Sequence, residues 1–230
     1  MLEILYEDNH IIAVNKKASD IVQSDKTGDR PLTEYVKDHI KKKYNKPGKV
    51  FLGVVHRLDR PVSGVILFAR TSKALTRLNK MFREKRVKKI YWAIIKNKPQ
   101  KSKNILIHYL LKNNAKNKSH AFIKKCKNAL RSELSYELIH SFENYHLLEV
   151  SPKTGRHHQI RVQLAKIGCP IKGDIKYGFD RTNKDKSIHL HARKIDFMHP
   201  VKKELISITA PTPNDILWKT VKLIEDQHLM

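Results

Sequence analysis

The chain has 230 residues and 40% hydrophobic content, which excludes a disordered or low-complexity protein and allows one substantial core. Its 47 Lys+Arg against 22 Asp+Glu give a formal net charge of +25, more than solubility requires. That excess points to a polyanionic partner, because cations that neutralise phosphates release condensed counterions. Cys126 and Cys169 are too few for a disulfide scaffold and lack short metal spacing, no run approaches about eighteen apolar residues, and "MLEILYEDNHIIAVNKK" lacks the plan of a signal peptide. The expectation is a soluble cytoplasmic protein with no membrane contact.

In chain order, "ILY" and "IIAV" flank the turn-rich "EDNH" and predict a hairpin. A loop with Gly28 and Pro31 follows. Leu32, Tyr35, Val36, His39 and Ile40 then fall at helical spacing, with lysines on the polar face. "GVILFAR" is an apolar run of strand length, and Thr71-Ser72 predicts the N-cap of a helix with apolar positions Leu75, Leu78, Met81 and Phe82. "KKIYWAII" reads as a buried strand. From Lys96 to Lys127 the chain is polar and basic, and predicts surface loops around the short run Ile105 to Leu111. "SELSYELIHSF" and "YHLLEV" predict a hairpin joined at Glu143-Asn144, followed by a helix from about His157 to Ile167. "SIHLHARKIDF" and "ELISITA" predict strands around the turn "MHPVKK", and Ile216, Leu217, Val221 and Ile224 mark one side of a closing helix. Strands in hairpins with helices between them predict an α+β fold around a mixed, largely antiparallel sheet with flanking helices.

Three segments hold residues that could carry chemistry. In "VVHRLDRPVSGVILFAR" Asp59 stands between Arg57 and Arg60, in a connection between apolar elements. Arg60 precedes Pro61 and is biased to extended backbone, and Ser63-Gly64 allows a tight turn, so the loop presents a side chain at a sheet end. A turn cap is the plain reading of such an Asp. The functional reading is a carboxylate kept ionised by its guanidinium neighbours, acting as covalent nucleophile or charge stabiliser.

In "SPKTGRHHQIRVQLAKIGCPIKGDIKYG" a turn at Thr154-Gly155 opens a helix with Arg156, His157, His158, Gln159 and Arg161 in its first turns, positions 157 and 161 sharing a face. Arginines there suit a phosphate, or a carboxylate from elsewhere in the fold. Adjacent helical histidines diverge by roughly 100° and serve packing or hydrogen bonding rather than one shared metal, so no metal site is expected. Tyr91, within a strand, is either core or a ring on which a base stacks.

Together these segments resemble the RluA-type pseudouridine synthase family. "HRLDRPVSG" resembles its central motif, and "ILYEDNHIIAVNK", "KKIYWAI", "TGRHHQIRVQLA...G.PI.GD..YG" and "IHLHARKIDFMHP" match in order and spacing, from about Leu5 to Pro213. The resemblance implies a single catalytic domain over 1–230 with a central RNA-binding cleft. It makes Asp59 the catalytic residue that attacks a flipped uridine, Tyr91 the tyrosine that packs on the base and helps remove its C5 proton, and Arg161 the partner of the Asp. Arg57 matches the arginine that enters the RNA helix, and His56, Arg60, Arg156, His157 and Gln159 complete the substrate-binding set.

An isomerisation requires no cofactor, and none is expected; the implied partner is ribosomal or transfer RNA, and the implied state a monomer. "NKK" replaces a usual Asn-Lys-Pro, "PVSG" stands where an acid and Thr often precede Ser-Gly, and Gln163 and Cys169 replace commonly seen histidines. The motifs begin within the first ten residues, so no S4-type RNA-binding domain is expected in front. Two other readings compete: a non-catalytic RNA-binding or ribosome-assembly factor with this fold, and a metal-dependent nuclease using the 13 histidines, which lack an accompanying carboxylate cluster.

Overall fold

The computed structural model describes residues 2–25 and 27–228, with side chains as far as 223. Its strands are β1 (Ile4–Glu7), β2 (Ile11–Lys16), β3 (Gly53–Val54), β4 (Ser63–Ala69), β5 (Lys88–Ile95), β6 (Lys103–Asn113), β7 (Lys118–Phe122), β8 (Leu130–Ser141), β9 (His146–Pro152), β10 (Leu190–Met198) and β11 (Leu205–Thr209). Its helices are α1 (Leu32–Lys43), α2 (Ser72–Arg83), α3 (Gln159–Lys166) and α4 (Ile216–His228). The architecture is α+β, as the hairpin spacing predicted, and the contacts divide the chain into two compact units. One takes the chain up to Lys88 and resumes at Ala192; the other is Lys89–His191.

The first unit orders its strands β1-β2-β4-β10, with β3 on β4 and β11 on β10. All seven residues of β4 are buried, which is why its sequence reads as an unbroken apolar run rather than an alternation. α2 packs on β4. It begins where predicted, with Thr71 extended and its hydroxyl accepting from the Ala74 N–H at 3.2 Å, and buries Ala74, Leu78 and Met81. α1 buries Leu32, Thr33, Val36 and Ile40, while Tyr35, expected on that face, is exposed. In α4 the buried residues among those described are Trp218 and Val221; Ile216 is exposed, and the side chain of Ile224 lies outside the described residues.

The second unit is a five-strand antiparallel order, β5-β9-β8-β6-β7. The stretch expected to be loops between Lys96 and Lys127 instead holds the long hairpin of β6 and β7. Leu106, His108 and Leu110 point inward while Lys103, Ile105 and Ile107 point outward, a period of two hidden because outward positions mix isoleucine with lysine. Leu110 packs with Val162 of α3 and with Tyr177 from the short 3-10 turn Ile175–Tyr177. α3 starts two residues later than expected. His158 adopts left-handed backbone, with φ 53°, so His157 lies before the helix and does not share a helical face with Arg161.

Candidate active site

In the first unit the segment from His56 to Gly64 is fixed at several points. Leu58 is buried between exposed Arg57 and half-buried Asp59, so it pins the segment from below while its neighbours face out. The Val62 N–H donates to the Asp59 carbonyl at 3.0 Å and closes a turn across Arg60-Pro61. At the entry to β4, Gly64 has φ +115°, and a Cβ there would lie 2.3 Å from the Ala192 carbonyl oxygen; only glycine fits. The His56 ring stacks on Phe82 at 5.1 Å, and its Nε2 accepts from the Leu67 N–H at 3.0 Å, which ties the approach to β4. Arg60 forms an exposed ion pair with Asp29.

Lys16, at the end of β2, is fully buried and was not anticipated as a site residue. Its ammonium donates to the carbonyls of Lys17 (3.0 Å), Arg60 (3.1 Å) and Val62 (2.7 Å). Two of these carbonyls lie just past Asp59, so one cation holds the main chain of the Asp59 turn. Burial pushes Lys16 down from 10.5 to about 8, against the pull of Asp20 and Asp59 and with a smaller push from Arg60. The signal in the sequence was a lysine ending a largely apolar strand, "IIAVNK".

In the second unit Tyr91 lies on β5, opposite Val150 of β9, and is half-buried. Arg161 is buried on α3 and grips Asp174 with two parallel bonds, Nε to Oδ2 at 2.6 Å and Nη2 to Oδ1 at 2.8 Å. Its guanidinium also lies 5.1 Å from the centre of the Tyr177 ring. Asp174 was not singled out, although it is the Asp of "GD..YG".

The turn before α3 is built around Gln159. Its Oε1 accepts from the Thr154 hydroxyl (2.7 Å) and the Arg156 N–H (3.0 Å), and its Nε2 donates to the Glu133 carbonyl (3.1 Å). The buried Gln159 amide is therefore engaged within the turn, while the Arg156 side chain is exposed. His157 and His158 stack with ring centres 3.7 Å apart. His157 bonds to Asn117 and Ser119, and His158 to the Tyr177 hydroxyl, so the pair ties the β6–β7 hairpin to the start of α3. Among the described residues no three His, Cys, Asp or Glu side chains gather as a metal site, and no helix is long and apolar enough to cross a membrane.

Residues 10–166 match a family model described as RNA pseudouridylate synthase. The chain is 35% identical over 214 residues to ribosomal large subunit pseudouridine synthase C of Vibrio parahaemolyticus, covering 90% of this chain and 65% of that protein. It is 32% identical over 237 residues to tRNA pseudouridine synthase C of Vibrio cholerae, covering 95% of this chain and 93% of that protein. The chain thus spans just under two thirds of the first relative and nearly all of the second. Among solved structures it resembles human RNA pseudouridylate synthase domain containing 4, with a TM-score of 0.79 over 96% of this chain and 92% of that chain; at 24% identity the likeness concerns the fold.

Proposed function

The chain belongs to the RNA pseudouridylate synthase family, and from that premise we propose that it isomerises uridine to pseudouridine in ribosomal or transfer RNA, with Asp59 as the attacking group. The observation that carries this reading is the turn that holds Asp59: a buried ammonium bonded to the carbonyls of Arg60 and Val62 fixes the main chain beside a half-buried carboxylate. A turn cap needs no such anchor; a group that must meet one atom of a substrate does.

In the proposed reaction the target nucleotide leaves its stack, which costs a few kcal/mol, and Arg57 enters the gap. Asp59 attacks C1′ as the bond from C1′ to N1 breaks, the uracil turns, and a bond from C1′ to C5 forms as the bond to Asp59 breaks and frees the carboxylate. The C5 proton leaves with the help of Tyr91 and N1 takes up a proton, so the product has the composition of the substrate and needs no oxidant. Arg161, whose guanidinium is fixed by Asp174, takes the role that the resemblance gives it as the partner of Asp59. His56 and Gln159 act by holding their segments; Arg60, Arg156 and His157 supply contacts to RNA.

The test is tritium release from RNA labelled at uridine C5, together with pseudouridine mapping across total RNA from cells with and without the gene. Asp59→Asn is expected to abolish release while RNA binding survives. Release at the wild-type rate by Asp59→Asn, or identical pseudouridine maps, overturns the reading.

A further inference from the structure

The strand that presents Tyr91 carries a second polar side chain on the same side. Residues two apart in a strand share a face, so Lys89 lies with Tyr91 on β5. β9, the partner of β5, runs out at Pro152 into the turn 153–156, and that turn meets the lysine: the Lys89 Nζ lies 3.9 Å from where a Cβ on Gly155 would stand. Apart from Gly155 and its two chain neighbours, no other atom of the described residues lies within 4 Å of that point, and the backbone of Gly155 is outside the left-handed region. Neither conformation nor crowding demands glycine there; what glycine provides is open space in front of an ammonium.

The turn is rigid. Lys153 and Thr154 N–H groups donate to the Glu133 carbonyl at 3.0 and 3.3 Å, and Gln159 fixes Thr154 and Arg156 as described. Lys89 itself has no hydrogen-bond or ion-pair partner among the described residues, and burial holds it below the ordinary lysine range with no carboxylate to offset the loss. A desolvated ammonium without a counter-charge is costly, and a fold that keeps one beside an open approach has a place for an anion.

We propose that Lys89 and Gly155 form a phosphate seat for the RNA, holding a backbone phosphate that flanks the nucleotide presented to Tyr91. The proposal rests on the function proposed above. It is a binding role: Lys89 holds the strand that carries the target and takes no part in bond making.

Three arms test it on a stem-loop RNA carrying the mapped uridine, or on bulk transfer RNA if no uridine is mapped. Lys89→Met keeps the length of the side chain and removes the charge. It is expected to leave the melting temperature unchanged or raised, to weaken RNA binding about tenfold, and to reduce the slope of log affinity against log salt by about 0.7 to 0.9. Its KM rises while kcat at saturating RNA stays within about threefold. Gly155→Ala, whose methyl makes only ordinary contact with Nζ, is expected to weaken binding with no loss of stability. A methylphosphonate at the flanking phosphate costs the wild-type protein the same factor and Lys89→Met nothing. Affinity and salt slope unchanged in Lys89→Met, or a wild-type protein indifferent to every single methylphosphonate, overturns the phosphate seat. A wild-type protein that forms no pseudouridine overturns the functional reading instead, whatever the variants bind.

Discussion

Replacing Lys16 by methionine separates the positioning of Asp59 from the stability of the fold. The substitution keeps the length of the side chain and removes three bonds to the carbonyls of Lys17, Arg60 and Val62. At a net value of about 1 kcal/mol each, their loss destabilises the fold by roughly 3 kcal/mol. The opposing gain is similar, because a lysine held at about 8 instead of 10.5 carries a burial cost of roughly 3 kcal/mol at neutral pH, which methionine does not. Lys16→Met is therefore expected to melt within about 5 °C of the wild type. The Asp59 turn, however, loses its anchor, and a displacement of about 1 Å at a reacting group costs on the order of 100-fold in rate.

The assay is single-turnover tritium release at saturating RNA, beside a binding titration and a thermal melt. A fall in rate of about 10- to 100-fold is expected, with RNA affinity within about twofold, because Lys16 is buried and does not face substrate. The pH dependence supplies an independent sign. The folded value lies below the unfolded one, so between about pH 8 and 10.5 the unfolded chain binds more protons and the wild type gains stability as pH rises. Lys16→Met lacks that gain. A folded Lys16→Met with the wild-type rate, or one whose RNA affinity falls as far as its rate, refutes the positioning role.

Two further outcomes follow from the first unit. Gly64→Ala forces a side chain onto a φ of +115° and against the Ala192 backbone at 2.3 to 2.7 Å, so a loss of about 2 to 6 kcal/mol is expected; a melting temperature within about 3 °C of the wild type contradicts it. Burial raises Glu7, but hydrogen bonds from Lys43 and His39 outweigh it and hold the carboxyl at about 2 instead of 4.5. Its contribution is present above pH 4.5 and is lost as pH falls toward about 2, so urea melts at stepped pH should show Glu7→Gln with a flatter acid limb and about 1 kcal/mol less stability at pH 7.

Much of the fold was legible because the core follows simple periods. Leu32, Val36 and Ile40 recur at helical spacing and are buried; the unbroken run of β4 is a strand covered on both faces; Thr71 is a cap because its hydroxyl reaches a free N–H. The β6–β7 hairpin was not legible, because main-chain pairing stabilises it and its outward positions are lysines and isoleucines without a polar rule. The start of α3 was misplaced because a left-handed His158, bonded through its ring to Tyr177, breaks the helix where the residue types alone permit it. At the candidate site the segments carrying Asp59, Tyr91 and Arg161 stood out by resemblance. Lys16 and Asp174 did not, since their partners lie far along the chain or are main-chain carbonyls that no residue type announces.

Three cations, buried Lys16 and Arg161 and half-buried Lys89, divide by what holds them. Lys16 is surrounded by carbonyls, which bind an ammonium without neutralising it, so its charge remains to hold the Asp59 turn. Arg161 faces the carboxylate of Asp174, which fixes the guanidinium plane and leaves it a poor seat for a second, mobile anion. Lys89 has neither kind of partner among the described residues. In a chain with 25 excess positive charges, attraction of RNA needs no particular lysine, so a cation taken partly or wholly out of water at a desolvation cost must do something that surface charge cannot. Carbonyl-bound Lys16 sets the position of the main chain, carboxylate-bound Arg161 sets the orientation of a side chain, and Lys89 is left to set the position of the substrate. The division predicts different losses: rate for Lys16→Met, affinity for Lys89→Met. Variants that lose both alike would place the two lysines in one structural role.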